Sequence, residues 1–154
     1  MAVYGGEYTE TFTVNVPLEA AKAHFSNLDN IAQCYGDVKS AKKMTKPGSL
    51  KLTLKPKTEI GVTFNGEHTC VWKFTDANTL EWESTGKGNI LSEGIATFKA
   101  SGKKKTIITY TERMELDMEV NFLLRHLIGP VVSQQIRHGV EQYLERMRQL
   151  LKEP

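Results

Sequence analysis

The sequence predicts an α+β fold in which a curved antiparallel sheet of seven strands packs around one long C-terminal helix, with two short helices after the first strand. Three observations carry this. Between Val38 and Val120 apolar and polar residues alternate, and turn-forming residues recur at Lys46-Pro47-Gly48, Asp76-Ala77-Asn78, Gly86-Lys87-Gly88 and Ser101-Gly102. From Asn121 to Lys152 the period lengthens to that of a helix. At 154 residues with 40% hydrophobic content, the chain can bury one core but is short for two. No repeat or low-complexity linker divides it, so residues 1–154 read as one domain.

In chain order, Tyr8 to Val16 places Tyr8, Phe12, Val14 and Val16 on one parity and Thr9, Thr11, Thr13 and Asn15 on the other, the pattern of a half-buried strand. Pro17 ends that strand and opens a short helix carrying Leu18, Ala21, Phe25 and Leu28; a second short helix over Asn30 to Tyr35 stops at Gly36. Six strands follow, at Val38 to Met44, Leu50 to Lys55, Val62 to Phe74, Thr79 to Thr85, Ile90 to Ala100 and Lys105 to Val120, joined mainly as hairpins. In the tail, Val132, Ile136, Val140, Tyr143, Met147 and Leu151 form one stripe, with Arg137, Glu141, Glu145, Arg148 and Lys152 off it. Gly129-Pro130 is expected to kink or restart this helix, making Phe122-Leu123-Leu124 a separate lobe of contact.

Composition narrows the function classes. Twenty Lys and Arg against 18 Asp and Glu leave a formal charge of +2, too little excess for a protein that neutralises nucleic-acid phosphates. Two cysteines, Cys34 and Cys70, in a chain that can fold by burial alone argue against a disulfide framework and for a reducing, cytoplasmic setting. No leader is expected at MAVYGGEYTETF, and no run reaches the about 18 apolar residues of a membrane span. The segment Lys39 to Lys57 holds seven lysines; its readings are a peripheral contact with headgroups or an acidic partner, or a charged edge that blocks strand addition.

A sheet of seven strands at about 4.8 Å spacing is some 30 Å wide, whereas a helix with its side chains is about 10 Å across. Gripping one helix therefore leaves a hollow between helix and sheet. The order and spacing of EYTETFTVNVPLEAAKAHFSNLDNIAQCYGDV, VTFNGEHTCVWKFTD, SEGIATFKA, TIITYTERMEL and the terminal amphipathic helix resemble the START-like helix-grip superfamily, also called the SRPBCC, Bet v 1-like or polyketide cyclase/dehydrase group, along nearly the whole chain. Within it the sequence is most similar to the G-subunit family of carbon monoxide dehydrogenase. That resemblance implies a pocket for a hydrophobic ligand and, for the carbon monoxide dehydrogenase branch, handling of quinones or membrane-associated cofactors. Some members of the branch carry a membrane-anchoring C-terminal extension; with the sequence read to Pro154, no anchoring role is expected.

Strand parity lists the residues facing the hollow. They are Val62, Phe64, Gly66, His68, Cys70, Trp72 and Phe74; Leu80 and Trp82; Gly94, Ala96 and Phe98; and Ile108, Tyr110, Glu112, Met114, Leu116 and Met118. From the helix, Leu127, Val131, Val132 and Ile136 are expected nearest. The candidate ligand wall is Phe64, His68, Trp72, Trp82, Phe98, Tyr110, Glu112, Met114, Leu116, Met118, Leu127 and Val131, its methionines able to repack around different shapes; the alternative is an ordinary filled core.

His68 and Glu112 fall on the apolar parity, where an ionisable group is costly unless paired or neutral. Enclosure should raise the Glu112 pKa and lower that of His68, although they lie three strands apart. Two functions stay open: a carrier or binding protein for an isoprenoid, quinone or lipid-like molecule, and a cyclase, dehydratase or isomerase using His68, Glu112 and Tyr110 as acid and base. An accessory role beside an enzyme complex is the third. No cofactor is expected, and none of His24, His126 or the His138/Glu141 pair has the companions a metal site needs.

Overall fold

A computed structural model describes residues 2–152, without the side chains of Ala2, Lys87 and Lys152. The expectations placed on the Lys152 side chain and on the end at Pro154 lie outside the described residues. Nine strands form: β1 (Ala2–Val14), β2 (Val38–Lys43), β3 (Ser49–Leu54), β4 (Lys57–Glu59), β5 (Val62–Phe64), β6 (Glu67–Asp76), β7 (Thr79–Gly88), β8 (Ile90–Ala100) and β9 (Thr106–Met118). Helices α1 (Leu18–Ser26) and α2 (Leu28–Cys34) follow β1, and a 3-10 turn (Phe122–Leu124) leads into α3 (Arg125–Lys152). Seven strands make one antiparallel sheet in the order β1-β9-β8-β7-β6-β3-β2, while β4 and β5 form a separate hairpin. This is the α+β architecture read from the sequence.

Three boundaries differ from expectation. Strand β1 starts at Ala2 rather than Tyr8, because its ladder with β9 runs unbroken from Ala2↔Met118 to Val14↔Thr106. The expected strand from Val62 to Phe74 is cut at Asn65-Gly66, so β5 leaves the main sheet to pair with β4. A Cβ at Gly66 would fall 2.8–3.0 Å from the tips of the Ile90, Leu54 and Phe64 side chains, so a larger residue there would make these tips shift. Helix α3 passes through Pro130 as one 28-residue helix. Pro130 lies in its second turn, where the missing N–H removes a single bond to the exposed His126 and the following turns continue. The expected lobe before it is only partly one: Leu124 packs inward, whereas Phe122 and Leu123 are 73% and 77% exposed.

The helix stripe is buried as its spacing requires, with Val132, Ile136, Val140, Tyr143 and Met147 inside and Leu151 half-buried. Helix α3 packs chiefly on β1. A Cβ at Gly6 would approach the Ser133 carbonyl to 3.0 Å, so strand and helix nearly touch on that side. Two apolar clusters result. The larger joins α1, α2 and the C-terminal half of α3 to the sheet around Phe25, Leu80, Phe98 and Leu144; the smaller lies at the start of α3 around Met118, Ile128 and Val132. The lysine-rich segment supplies β2, a strand at the free edge of the sheet, and Lys43 and Lys51 pair there with Asp29 and Glu67.

Candidate functional site

Because α3 leans on β1, a gap of about 390 Å³ remains between it and the opposite side of the fold, close to the lower end of ordinary ligand-pocket volumes. It lies at the seam between the two clusters. Tyr35, Gly36 and Asp37 after α2, Leu54 and Lys55 at the end of β3, and Lys57 and Phe64 from the hairpin border it on one side. Ile90, Glu112, Met114 and Leu116 form the sheet wall, and Gln135, Ile136, His138, Gly139, Val140, Gln142, Tyr143 and Arg146 the helix wall. Lys55, Lys57, His138 and Gly139 are exposed, so the cavity reaches the surface. The hairpin is tied to α3 across it: Lys57 Nζ donates to Gln135 Oε1 at 2.7 Å and Gln135 Nε2 to Glu59 Oε1 at 3.3 Å.

Of the candidate wall residues, Phe64, Glu112, Met114 and Leu116 line this space. Trp82, Phe98 and Tyr110 face inward as their parity requires but are packed solid in the larger cluster, with Trp72 against them; Met118 is buried in the smaller one. His68 is buried next to the Tyr35 ring, 5.4 Å between centroids, and does not border the cavity. Leu127 is 57% exposed and Val131 only half-buried, which corrects their expected position. The buried stripe begins at Ile128 and continues through Val132, Ile136 and Val140, and a shift of one residue turns a side chain by about 100°. Phe74 likewise lies largely outside, at the far end of β6.

A row of rings explains why only part of the hollow is open. Trp82 and Tyr110 centroids are 4.9 Å apart, Tyr110 and Tyr143 6.2 Å, and Tyr143 and Tyr35 6.2 Å. This partition fills the middle of the grip. The sequence showed Val140 and Tyr143 as stripe members but not that they face the gap. Tyr35 and Arg146 carried no periodic signal at all, since their place depends on how α2 meets α3.

Beneath the cavity Glu112 is 6% exposed and accepts a hydrogen bond from Tyr110 Oη at 2.6 Å. Burial pushes its pKa up to about 7, against the lowering effect of hydrogen bonds from Tyr110 and Ser92. Burial, and next the Glu112 charge, hold the Tyr35, Tyr110 and Tyr143 phenols well above their usual range. His68, 1% exposed, is pushed down to about 4 by burial. Both shifts run in the direction expected of enclosed groups.

The two residues do not meet, but polar atoms run between them across the sheet. Ser92 lies near enough to Glu112 to lower its pKa, its backbone N–H donates to Ser84 Oγ at 2.7 Å, Ser84 Oγ lies 3.4 Å from Cys70 Sγ, and Cys70 Sγ lies 3.2 Å from His68 Nδ1. Cys34 and Cys70 are both buried free thiols. Among the described residues, the buried Tyr35 hydroxyl and His68 Nε2 have no hydrogen-bond partner. Chemically, the cavity offers an apolar wall and one carboxyl that is about half protonated near neutral pH. Among the described residues no cluster of three metal-binding side chains occurs, and no helix is long and apolar enough to cross a membrane.

No family model and no curated protein matches the sequence. Solved structures do match in shape. A START superfamily protein from Mycobacterium smegmatis aligns with a TM-score of 0.70 at 16% identity, over 95% of this chain and 97% of the other. The ZhuI aromatase/cyclase from Streptomyces sp. R1128 aligns with a TM-score of 0.70 at 9% identity, over 97% and 94%. Norcoclaurine synthase from Thalictrum flavum, in complex with dopamine and hydroxybenzaldehyde, aligns with a TM-score of 0.61 at 8% identity, over 97% and 87%. At these identities the likeness establishes architecture: the chain has the helix-grip fold that it shares with a START superfamily protein and with two enzymes of unlike names.

Proposed function

We propose that this protein binds and carries a hydrophobic small molecule of isoprenoid, quinone or lipid-like character in the gap between α3 and the sheet. One observation carries the reading: an open cavity of about 390 Å³ walled by Leu54, Phe64, Ile90, Met114, Leu116 and Ile136. Apolar surface left uncovered inside a fold is unfavourable by about 25 cal/mol per Å², which a fitting ligand recovers. The resemblance to the carbon monoxide dehydrogenase branch, carried by sequence fragments, favours quinone and isoprenoid ligands within that class.

The test is native mass spectrometry of protein purified without detergent, compared with Gly139→Phe. Gly139 is exposed and borders the cavity in mid-helix, and a Cβ there would meet nothing within 4 Å, so a side chain can be introduced beside the opening without a clash at its Cβ. A co-purifying apolar molecule in the wild type, lost in Gly139→Phe, is the expected result; an empty wild-type protein that also binds no apolar dye would overturn the reading.

A second reading, enzymatic turnover of the enclosed molecule, is favoured by the placement of Glu112 at the cavity wall with a pKa of about 7 and Tyr110 bonded to it. It gives His68 no direct part, since that ring does not border the cavity. Glu112→Gln should then abolish turnover of the co-purified molecule or its precursor while ligand affinity stays within a few-fold; unchanged turnover would sink it.

A further inference from the structure

The cavity rim has an electrostatic bias that its apolar wall does not account for. Three cations border it, Lys55 and Lys57 between β3 and the hairpin and Arg146 on α3, against the exposed carboxylate of Asp37 and, deeper in the wall, the Glu112 carboxyl whose pKa burial pushes up to about 7. None of the three cations is in an ion pair among the described residues, whereas Lys22, Lys43, Lys51, Arg113 and Arg148 each have a carboxylate partner. Two are held in place by neutral groups. Arg146 Nη1 donates to the Cys34 carbonyl at 3.4 Å, and a Cβ on Gly36 would fall 2.9 Å from it, so a glycine there leaves room for the guanidinium beside the opening. Lys57 is fixed by Gln135 at 2.7 Å. Each such bond uses one donor, and the remaining N–H groups are free to take an acceptor.

We propose that the ligand is an amphipathic anion, with an apolar body inside the cavity and one negative group at the rim among Lys55, Lys57 and Arg146. This deepens the carrier reading and rests on it. A neutral isoprenoid would leave the rim cations solvated and contributing nothing; a carboxylate or sulfonate on the same body gains charge-assisted hydrogen bonds there. Because the lysines are exposed, the gain must weaken with salt.

The experiment uses two fluorescent probes that differ by one group, 8-anilinonaphthalene-1-sulfonate and neutral N-phenyl-1-naphthylamine, titrated into the full chain at low and at 0.5 M salt, about the upper end of useful screening. The sulfonate should bind at least about tenfold tighter at low salt, a difference of roughly 1.4 kcal/mol, with the margin shrinking at high salt. Lys55→Gln with Arg146→Gln should remove that margin and change the neutral probe by less than about twofold. Lys55→Gln alone should remove part of it, which keeps the test usable if the Arg146 variant fails to fold; Lys103→Gln with Lys104→Gln, on the exposed β8–β9 turn, controls for net charge. Gly139→Phe should weaken both probes if both sit in the cavity. Equal affinity for the two probes, or a preference that survives loss of the rim cations, overturns the anion assignment and leaves the carrier reading standing. If neither probe binds the wild type, both fall together.

Discussion

Glu112 and His68 are buried titratable side chains whose shifts oppose each other. Glu112 has a folded pKa of about 7 against 4.5 when exposed, so between these values the folded state holds more protons and stability falls as pH rises. His68 has a folded pKa of about 4 against 6.5, so over that interval the unfolded state holds more protons and stability rises with pH. Each effect is about 3 kcal/mol at most. The wild type should therefore show little net slope from pH 4.5 to 6.5 and lose stability just above it. Urea denaturation across pH 4–8 checks this: Glu112→Gln should leave only the rising limb and be the more stable protein at pH 8, while His68→Asn should leave only the fall between pH 4.5 and 7. Coincident profiles for the wild type and both variants would show that neither group is desolvated as described. That both face inward was readable from parity alone; that Ser92, Ser84 and Cys70 link them was not, because such a row forms only when β6, β7, β8 and β9 take their register.

Among the elements, the β4–β5 hairpin is the one the sequence did not show. Its turn, Ile60-Gly61, has positive φ at both positions, 50° and 76°, a geometry that suits Asn-Gly and strains a β-branched residue by about 1–2 kcal/mol. Ile60→Asn should therefore raise stability by about 1 kcal/mol, read as an increased denaturation midpoint at unchanged slope. A lower midpoint would mean that Ile60 packs against something the strain argument omits. Helix α3 was legible over most of its length, since Val132 to Met147 keep a strict apolar spacing; the errors fell at its start, where Leu127 and Val131 were taken for cavity residues one position away from Ile128 and Val132. Gly139 drew no notice in the sequence. In mid-helix it is unfavourable by about 1 kcal/mol relative to Ala, and its place beside the opening gives that cost a reason.

At the level of the whole molecule, strand order, the antiparallel sheet and the gripping helix followed from period and turn chemistry, whereas the extent of the open space did not. Parity marks which residues point inward but cannot tell a side chain that fills the interior from one that borders a void. Trp82, Phe98 and Tyr110 fill it; Phe64, Met114 and Leu116 border it. Phe25, packed against Phe12 and Phe98 beyond the ring partition, tests the separation. Phe25→Leu should lower stability by about 1–2 kcal/mol and leave the affinity for N-phenyl-1-naphthylamine within twofold, measured by thermal unfolding and dye titration. A large change in affinity would show that the two clusters respond as one body. The row of rings from Trp82 to Tyr35 has one flank in the larger apolar cluster and, through Tyr143 and Tyr35, the other at the gap. A substitution near Gly139 therefore changes the lining of the gap without touching Phe25, Leu80 or Phe98, which lie on the far flank of those rings.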